Sequence, residues 1–231
     1  MSETREVMSH QVLNRMFLIL GAMVLTMFVV SGYAWLQLPA DILVPVHWGI
    51  DGEPDRYAGK TRGLFLLPFI ALLISILIRI IPVIEPRRRN LLRSVVAYRV
   101  IGLSLGAFFL VLHLAMVGDL LGLTHVGVSA VVGLLVSALI TILGNYLGKV
   151  RSNFMFGIRT PWTLSSNLAW DKTHRLGGRL FVASGLIGIG VNLVFPLKGL
   201  MIFMVLLSVA VAVTVIYSYV VWRTAPDRRT E

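Results

Sequence analysis

The chain has 231 residues, of which 57% are apolar and only 14% charged, with a mean hydropathy of +0.84. A soluble globule carries about 25% charged residues, so the composition excludes a soluble domain and points to a membrane protein. The formal net charge of +10 would suggest nucleic acid in a soluble protein, but here the loops account for it; the absence of cysteine excludes disulfides, thiolate metal sites and cysteine nucleophiles.

A bilayer core about 30 Å thick needs roughly 20 apolar residues per helix. Six segments meet that length: Met16–Leu38, Leu64–Ile84, Val100–Leu121, Val126–Leu147, Leu180–Leu197 and Gly199–Trp222. They predict an all-α polytopic membrane protein with six transmembrane helices. The first segment exceeds the roughly 7–15 residues of a signal h-region and lacks a small-x-small cleavage site, so it reads as a retained helix.

A polar block, VPVHWGIDGEPDRYAGKTRG from Val44 to Gly63, follows the first segment. Val44, Val46 and Trp48 alternate with Pro45 and His47, which predicts a short extended run. Asp51-Gly52 is a turn signal. Trp48 and Tyr57 suit a membrane interface. His47, Asp51, Glu53 and Asp55 are oxygen- and nitrogen-rich, yet the run is too short for a calcium-binding loop with its distal Glu. The expectation is a structured cap without a metal.

The second segment leads into Arg87-Arg88-Arg89, read as a basic anchor at anionic headgroups. In the third, Gly102-x3-Gly106 permits close helix packing. The same segment holds His113 at membrane depth, where ionisable groups are costly and often functional. A neutral histidine satisfied by a neighbouring helix is the plainer account. Gly122–His125 make a tight turn into the fourth segment, which carries Asn145 and ends in Gly144-x3-Gly148. Gly185 and Gly188 thin one side of the fifth. These faces serve packing within the chain, with a homo-oligomer as the alternative.

Between the fourth and fifth segments lies the densest polar block, FGIRTPWTLSS followed by NLAWDKTHR, Phe156 to Arg175. Thr160 precedes a proline and is therefore extended. Ser165 and Ser166 are N-cap candidates for a helix running on into the fifth segment. On that helix Trp170 and His174 are four apart and Lys172 and Arg175 three apart, so each pair shares a face. Arg159, Lys172 and Arg175 beside the helix N-terminus form a candidate anion site. The alternative is an interfacial elbow that binds lipid phosphate. Asp171 with His174 is a candidate acid–base pair, but no nucleophile accompanies it. No HExxH, GxSxG, phosphate-binding loop or dinucleotide fingerprint is present, so neither an enzyme nor a cofactor is expected.

Charge fixes the expected orientation. Arg5, Arg15, Arg87, Arg88, Arg89, Arg93, Arg99, Lys149, Arg151, Arg159, Lys172, Arg175, Arg179, Arg223, Arg228 and Arg229 all fall on one side of the six-span topology. The other side holds Arg56, Lys60, Arg62 and Lys198. By the positive-inside rule both termini are cytoplasmic, the His47 loop is external and the Arg159 loop internal.

FGIRTPWTLSS and WDKTHR, followed by Gly177-Gly178, closely resemble the signature of the SdpI family of bacterial membrane proteins. PVHWGIDGEPDRYAGK is similar to the N-terminal domain of unknown function that often precedes it. The resemblance divides the chain into a two-helix region, 1–84, and an SdpI-like four-helix region, 85–231. Family members often carry an acidic residue where this chain has Asn167, so a role requiring a carboxylate there is in doubt. The resemblance implies an immunity protein of the bacterial plasma (inner) membrane that protects against a secreted membrane-active antimicrobial peptide. It also implies signal transduction, with a transcriptional repressor held at the membrane and no direct nucleic-acid binding. The peptide then meets the outer loop, His47, Trp48, Asp51, Asp55 and Tyr57. The repressor meets the inner block, Arg159, Thr160, Pro161, Trp162, Trp170, Lys172, Thr173, His174 and Arg175. Membrane lipid is the common partner. The alternative is a small-ligand or lipid transporter, or an envelope protein, of the same fold without a toxin.

Overall fold

The computed structural model describes residues 3–49, 53–124, 127–196 and 198–228, with side chains from His10 onward. Helix α1 spans Glu3–Gln37, and strands β1 (Leu43–Trp48) and β2 (Pro54–Gly59) follow. Then come α2 (Lys60–Ile84), α3 (Arg88–Arg93), α4 (Val95–Leu120), α5 (Val128–Leu147), α6 (Pro161–Ser165), α7 (Asn167–Val194) and α8 (Gly199–Arg223). Six of these, α1, α2, α4, α5, α7 and α8, are long and apolar enough to cross a membrane. Helix makes up 77% of the described residues, so the fold is a polytopic all-α bundle with one small β appendage.

The helices extend beyond the apolar runs that predicted them. The α4 helix starts at Val95 rather than Val100, while α7 starts at Asn167 behind the Ser166 cap and runs on into the fifth apolar segment, as expected. Hydropathy marks the bilayer-depth part of a helix only, whereas backbone hydrogen bonding continues into polar turns. The start of the fourth predicted segment, Val126, and the neighbouring His125 lie outside the described residues.

The bundle is built from two groups of three. Helix α1 packs on α2 and α4, and α2 also meets α4. Helix α7 packs on α5 and α8, and α5 touches α8. The α4–α5 contact joins the groups. Close approach in lipid comes from small residues rather than from a hydrophobic drive. A methyl group added at Gly144 would lie 2.7 Å from the Val182 nitrogen and 2.8 Å from the Gly178 oxygen. Gly178 answers with the Gly144 oxygen at 2.7 Å, so the two helix backbones are in direct contact. Across the other group, Gly106 makes room for Leu20 and Met23 of α1, and Gly102 for Met16. These glycine faces are thus occupied within the chain.

The two strands pair antiparallel, from Leu43 opposite Gly59 to Trp48 opposite Pro54, with an irregularity around His47. Val44 fastens this hairpin to the bundle. It is fully buried with Ala34, Leu64, Met116 and Val117, and it sits where any side chain at Gly63 would have to be.

His113 is fully buried on α4. Its Nε2 lies 3.0 Å from Ser31 Oγ and 3.2 Å from the Met27 carbonyl, both on α1. Ser31 Oγ donates to the Leu64 carbonyl on α2 (2.8 Å), so it accepts from His113. The imidazole therefore ties three helices together, as the plainer account of it expects. Its Nδ1 has no partner among the described residues.

Candidate functional site

At the Arg159 end of the bundle the polar block folds into a dense elbow. Thr160 is extended (φ −98°, ψ 160°) and caps α6, its hydroxyl accepting from the Thr163 N–H while the Thr163 hydroxyl accepts from the Thr160 N–H. Pro161 takes the first helical position, where a missing N–H is harmless. The chain then bends, and Ser166 caps α7 by accepting from the Ala169 N–H (3.0 Å). Ser166 is thus the predicted cap, while Ser165 closes α6 and donates to the Pro161 carbonyl (2.8 Å). The Thr160 hydroxyl lies 3.1 Å from Ser218 Oγ, fixing the elbow to α8. Trp162 packs against Tyr219 of α8, with ring centroids 5.2 Å apart.

Trp170 and His174 form the centre of the elbow. Both are buried, and their rings stack at 4.0 Å. Trp170 Nε1 donates to the Val150 carbonyl (2.8 Å). His174 Nδ1 donates to the Trp170 carbonyl (2.9 Å), and its Nε2 accepts from the Ile158 N–H (3.0 Å). Each ring nitrogen is thereby committed to backbone, which assigns a neutral imidazole with the proton on Nδ1. Asp171 does not enter this arrangement, so the acid–base pair expected of Asp171 and His174 is not formed. Gly157 is at φ +114°, and a side chain there would collide with His174 Nε2. Thr173 is buried, and its hydroxyl has no partner among the described residues.

Glu85 and Arg87 bring the preceding loop into the same elbow. Glu85 is only 3% exposed, and its carboxylate accepts from the N–H groups of Arg87 (2.8 Å) and Phe154 (3.1 Å). Arg87 donates to Ser152 Oγ and lies over the Phe154 ring at 4.5 Å. It therefore faces protein, unlike the lipid-facing role expected of the whole arginine run; Arg88 and Arg89 are exposed. Asn153 is buried, its Oδ1 accepting from the Met155 and Phe156 N–H groups at 2.9 and 2.8 Å.

The expected anion site beside α7 holds an anion of the chain itself. Asp227 accepts from the Ser166 hydroxyl (2.6 Å) and from the Leu168 N–H (3.2 Å). The Ser166 hydrogen bond, aided by backbone N–H groups of the first turn, holds the Asp227 carboxyl below its usual value of 3.8. Arg159, Lys172 and Arg175 are exposed. Arg159 Nη1 instead donates to the Phe154 carbonyl (2.6 Å). Arg175 lines a groove between α5 and α7 together with Asn145, Lys149 and Arg179. Asn145 is exposed there rather than sealed inside the bundle.

At the opposite end, His47 Nδ1 and Asp55 Oδ1 lie 2.5 Å apart in an exposed pair. Tyr57 is exposed, and Asp51 lies outside the described residues. No group of three metal-ligating side chains exists among the described residues. His47 and Trp48 instead line the mouth of an apolar cavity of about 550 Å³. Leu67 of α2, Leu112 of α4, Val132 of α5 and Met204 of α8 form its walls, so it lies on the seam between the two helix groups.

Sequence reasoning missed Glu85, Asn153, Gly157 and Asp227 as parts of the elbow. A lone carboxylate beside a basic run was the one visible signal, at Glu85.

Residues 149–218 match the model of the SdpI/YfhL protein family. Residues 22–72 match a domain of unknown function, DUF1648. The chain is 23% identical over 192 residues to "Immunity protein SdpI" of Bacillus subtilis (strain 168), a match covering 83% of this chain and 88% of that protein. No solved structure matches it. The first match contains most of the elbow, and the second contains β1, β2 and the start of α2. The chain is a multi-pass bacterial membrane protein that is similar to the SdpI/YfhL family over residues 149–218 and to DUF1648 over residues 22–72.

Proposed function

We propose that this protein is an SdpI-type immunity protein that shields a bacterium from a secreted membrane-active peptide without catalysing a reaction. The observation carrying this reading is the match to an immunity protein over 83% of this chain and 88% of that one. In this reading both termini are cytoplasmic and the β hairpin is outside, as the distribution of basic residues supports. The cavity behind His47 and Trp48 then receives an apolar segment of the peptide. Its lining is nearly all apolar with a few polar groups at one end, a common composition for a recognition pocket. On the cytoplasmic side, exposed Arg159, Lys172 and Arg175 form the face that holds a repressor, while Trp170 and His174 keep that face in shape.

The test is survival of a peptide-sensitive bacterium that lacks its own immunity gene. It expresses this chain and is challenged with the membrane-active peptide secreted by an SdpI-bearing strain. Wild type should protect. Leu112→Trp, which fills the cavity, should abolish protection at equal membrane abundance, whereas Arg159→Ala should abolish only repressor retention. Failure of the wild type to protect at verified abundance would overturn the immunity reading. Protection by both variants would leave the cavity without a role.

A further inference from the structure

At the basic end, α5 and α7 are pressed together by Gly144 and Gly178 so closely that their backbones touch. The groove over this contact has a volume of about 550 Å³. Its upper rim is cationic: Lys149 just past the end of α5, and Arg175 and Arg179 one turn apart on α7. Its lower wall is apolar, formed by Val182, Ala183 and Leu186 on the next turns of α7. Leu186 is 57% exposed and so faces lipid.

None of the three cations has a carboxylate partner among the described residues. Among the described residues the only ion pair is His47 with Asp55, at the opposite end. Asp171, one turn before Arg175, forms none with it. Lys149 instead rests over the Tyr146 ring at 4.3 Å, which orients its amine without removing its charge. Three unpaired cations directly above an apolar channel call for a ligand with a phosphate head and a hydrocarbon tail. Basic pockets between membrane helices bind anionic lipid headgroups for this reason, and arginine suits phosphate through its forked donors.

We propose that this groove is a specific site for one anionic glycerophospholipid. The phosphate sits among Lys149, Arg175 and Arg179. One acyl chain lies over Gly144 and Gly178 and along Val182 and Leu186. The site does not depend on the immunity reading, since it lies on the opposite end from the proposed peptide cavity.

The test is native mass spectrometry of the full chain, purified in detergent and stripped of lipid, then titrated with phosphatidylglycerol, phosphatidylcholine or inorganic phosphate. Wild type should take up one phosphatidylglycerol per chain and prefer it over phosphatidylcholine by about tenfold or more. Arg175→Gln with Arg179→Gln should lose that preference, while Arg175→Lys with Arg179→Lys should retain most of it. Arg93→Gln with Arg223→Gln, also exposed but outside the groove, should leave it unchanged. The proposal is overturned if the Arg93/Arg223 pair lowers binding as much as the Arg175/Arg179 pair. It is also overturned if the glutamine pair keeps the preference, or if inorganic phosphate displaces the lipid. Should the glutamine pair fail to accumulate, Lys149→Gln alone reads the same outcome.

Discussion

Replacing His174 by alanine removes a staple rather than a reactive group, and the cost follows from its contacts. The Ile158 N–H, in a part-buried site, loses its acceptor, which costs about 1–3 kcal/mol. The ring stacked on Trp170 at 4.0 Å is worth about 0.5–1.5 kcal/mol more. With the void left behind, the loss is about 3–5 kcal/mol. A chain of this size loses about 2–4 °C of melting temperature per kcal/mol, so the midpoint should fall by about 6–20 °C. The assay is thermal unfolding of the full chain in detergent, followed by tryptophan fluorescence. His174→Phe keeps a stacked ring but not the acceptor and should fall between the parent and His174→Ala. Lys172→Ala, on the exposed face, should stay within about 0.5 kcal/mol of the parent. If His174→Ala melts within about 2 °C of the parent yet loses function, His174 is a functional group and the staple argument fails.

Other outcomes follow from the same geometry. The Asp227 carboxyl is held below its ordinary value, so its contribution to stability is present above the unfolded aspartate range and is lost as pH falls through the folded value. Asp227→Asn should therefore lower the melting temperature at pH 7 and converge with the parent as pH falls through the folded value; a constant gap would refute this role. Gly144→Ala forces the α5 and α7 backbones apart, and a loss of about 1–3 kcal/mol should appear as reduced membrane abundance and melting temperature. The chain has no cysteine, so orientation can be read directly. A cysteine placed by Tyr57→Cys should react with a membrane-impermeant maleimide in intact cells, and one placed by Arg88→Cys only after lysis. The reverse pattern would invert the proposed topology.

The spans were legible because unbroken apolar runs are demanded by the bilayer itself and need no partner to be recognised. Ser166 was legible for a similar reason, since a hydroxyl at a helix start acts on its own next turn. The Thr160 cap was not, because its reciprocal partner is Thr163 rather than the Glu or Gln of the usual capping box. Strand β2, Pro54–Gly59, carries no apolar alternation; it pairs because Val44 opposite it is anchored on the bundle. Trp170 and His174 were visible as neighbours four residues apart, but not as buried ones. Asp171, Lys172 and Arg175 around them give the segment a surface composition, and the burying partners, Val150 and Ile158, come from the loop before it. Glu85 meets Phe154 across 69 residues, a pairing no local pattern encodes.

The cap on α7 also sets an order of events during synthesis. Asp227 follows the last span, so the carboxylate that closes the first turn of α7 is synthesised only after every span. Until then the two N–H groups that Ser166 leaves open face water. The elbow is thus a late-maturing part of an already inserted protein, and its completion reports that translation has run past the sixth helix. A nonsense codon after Arg223 would yield a chain with every span in place and this latch missing.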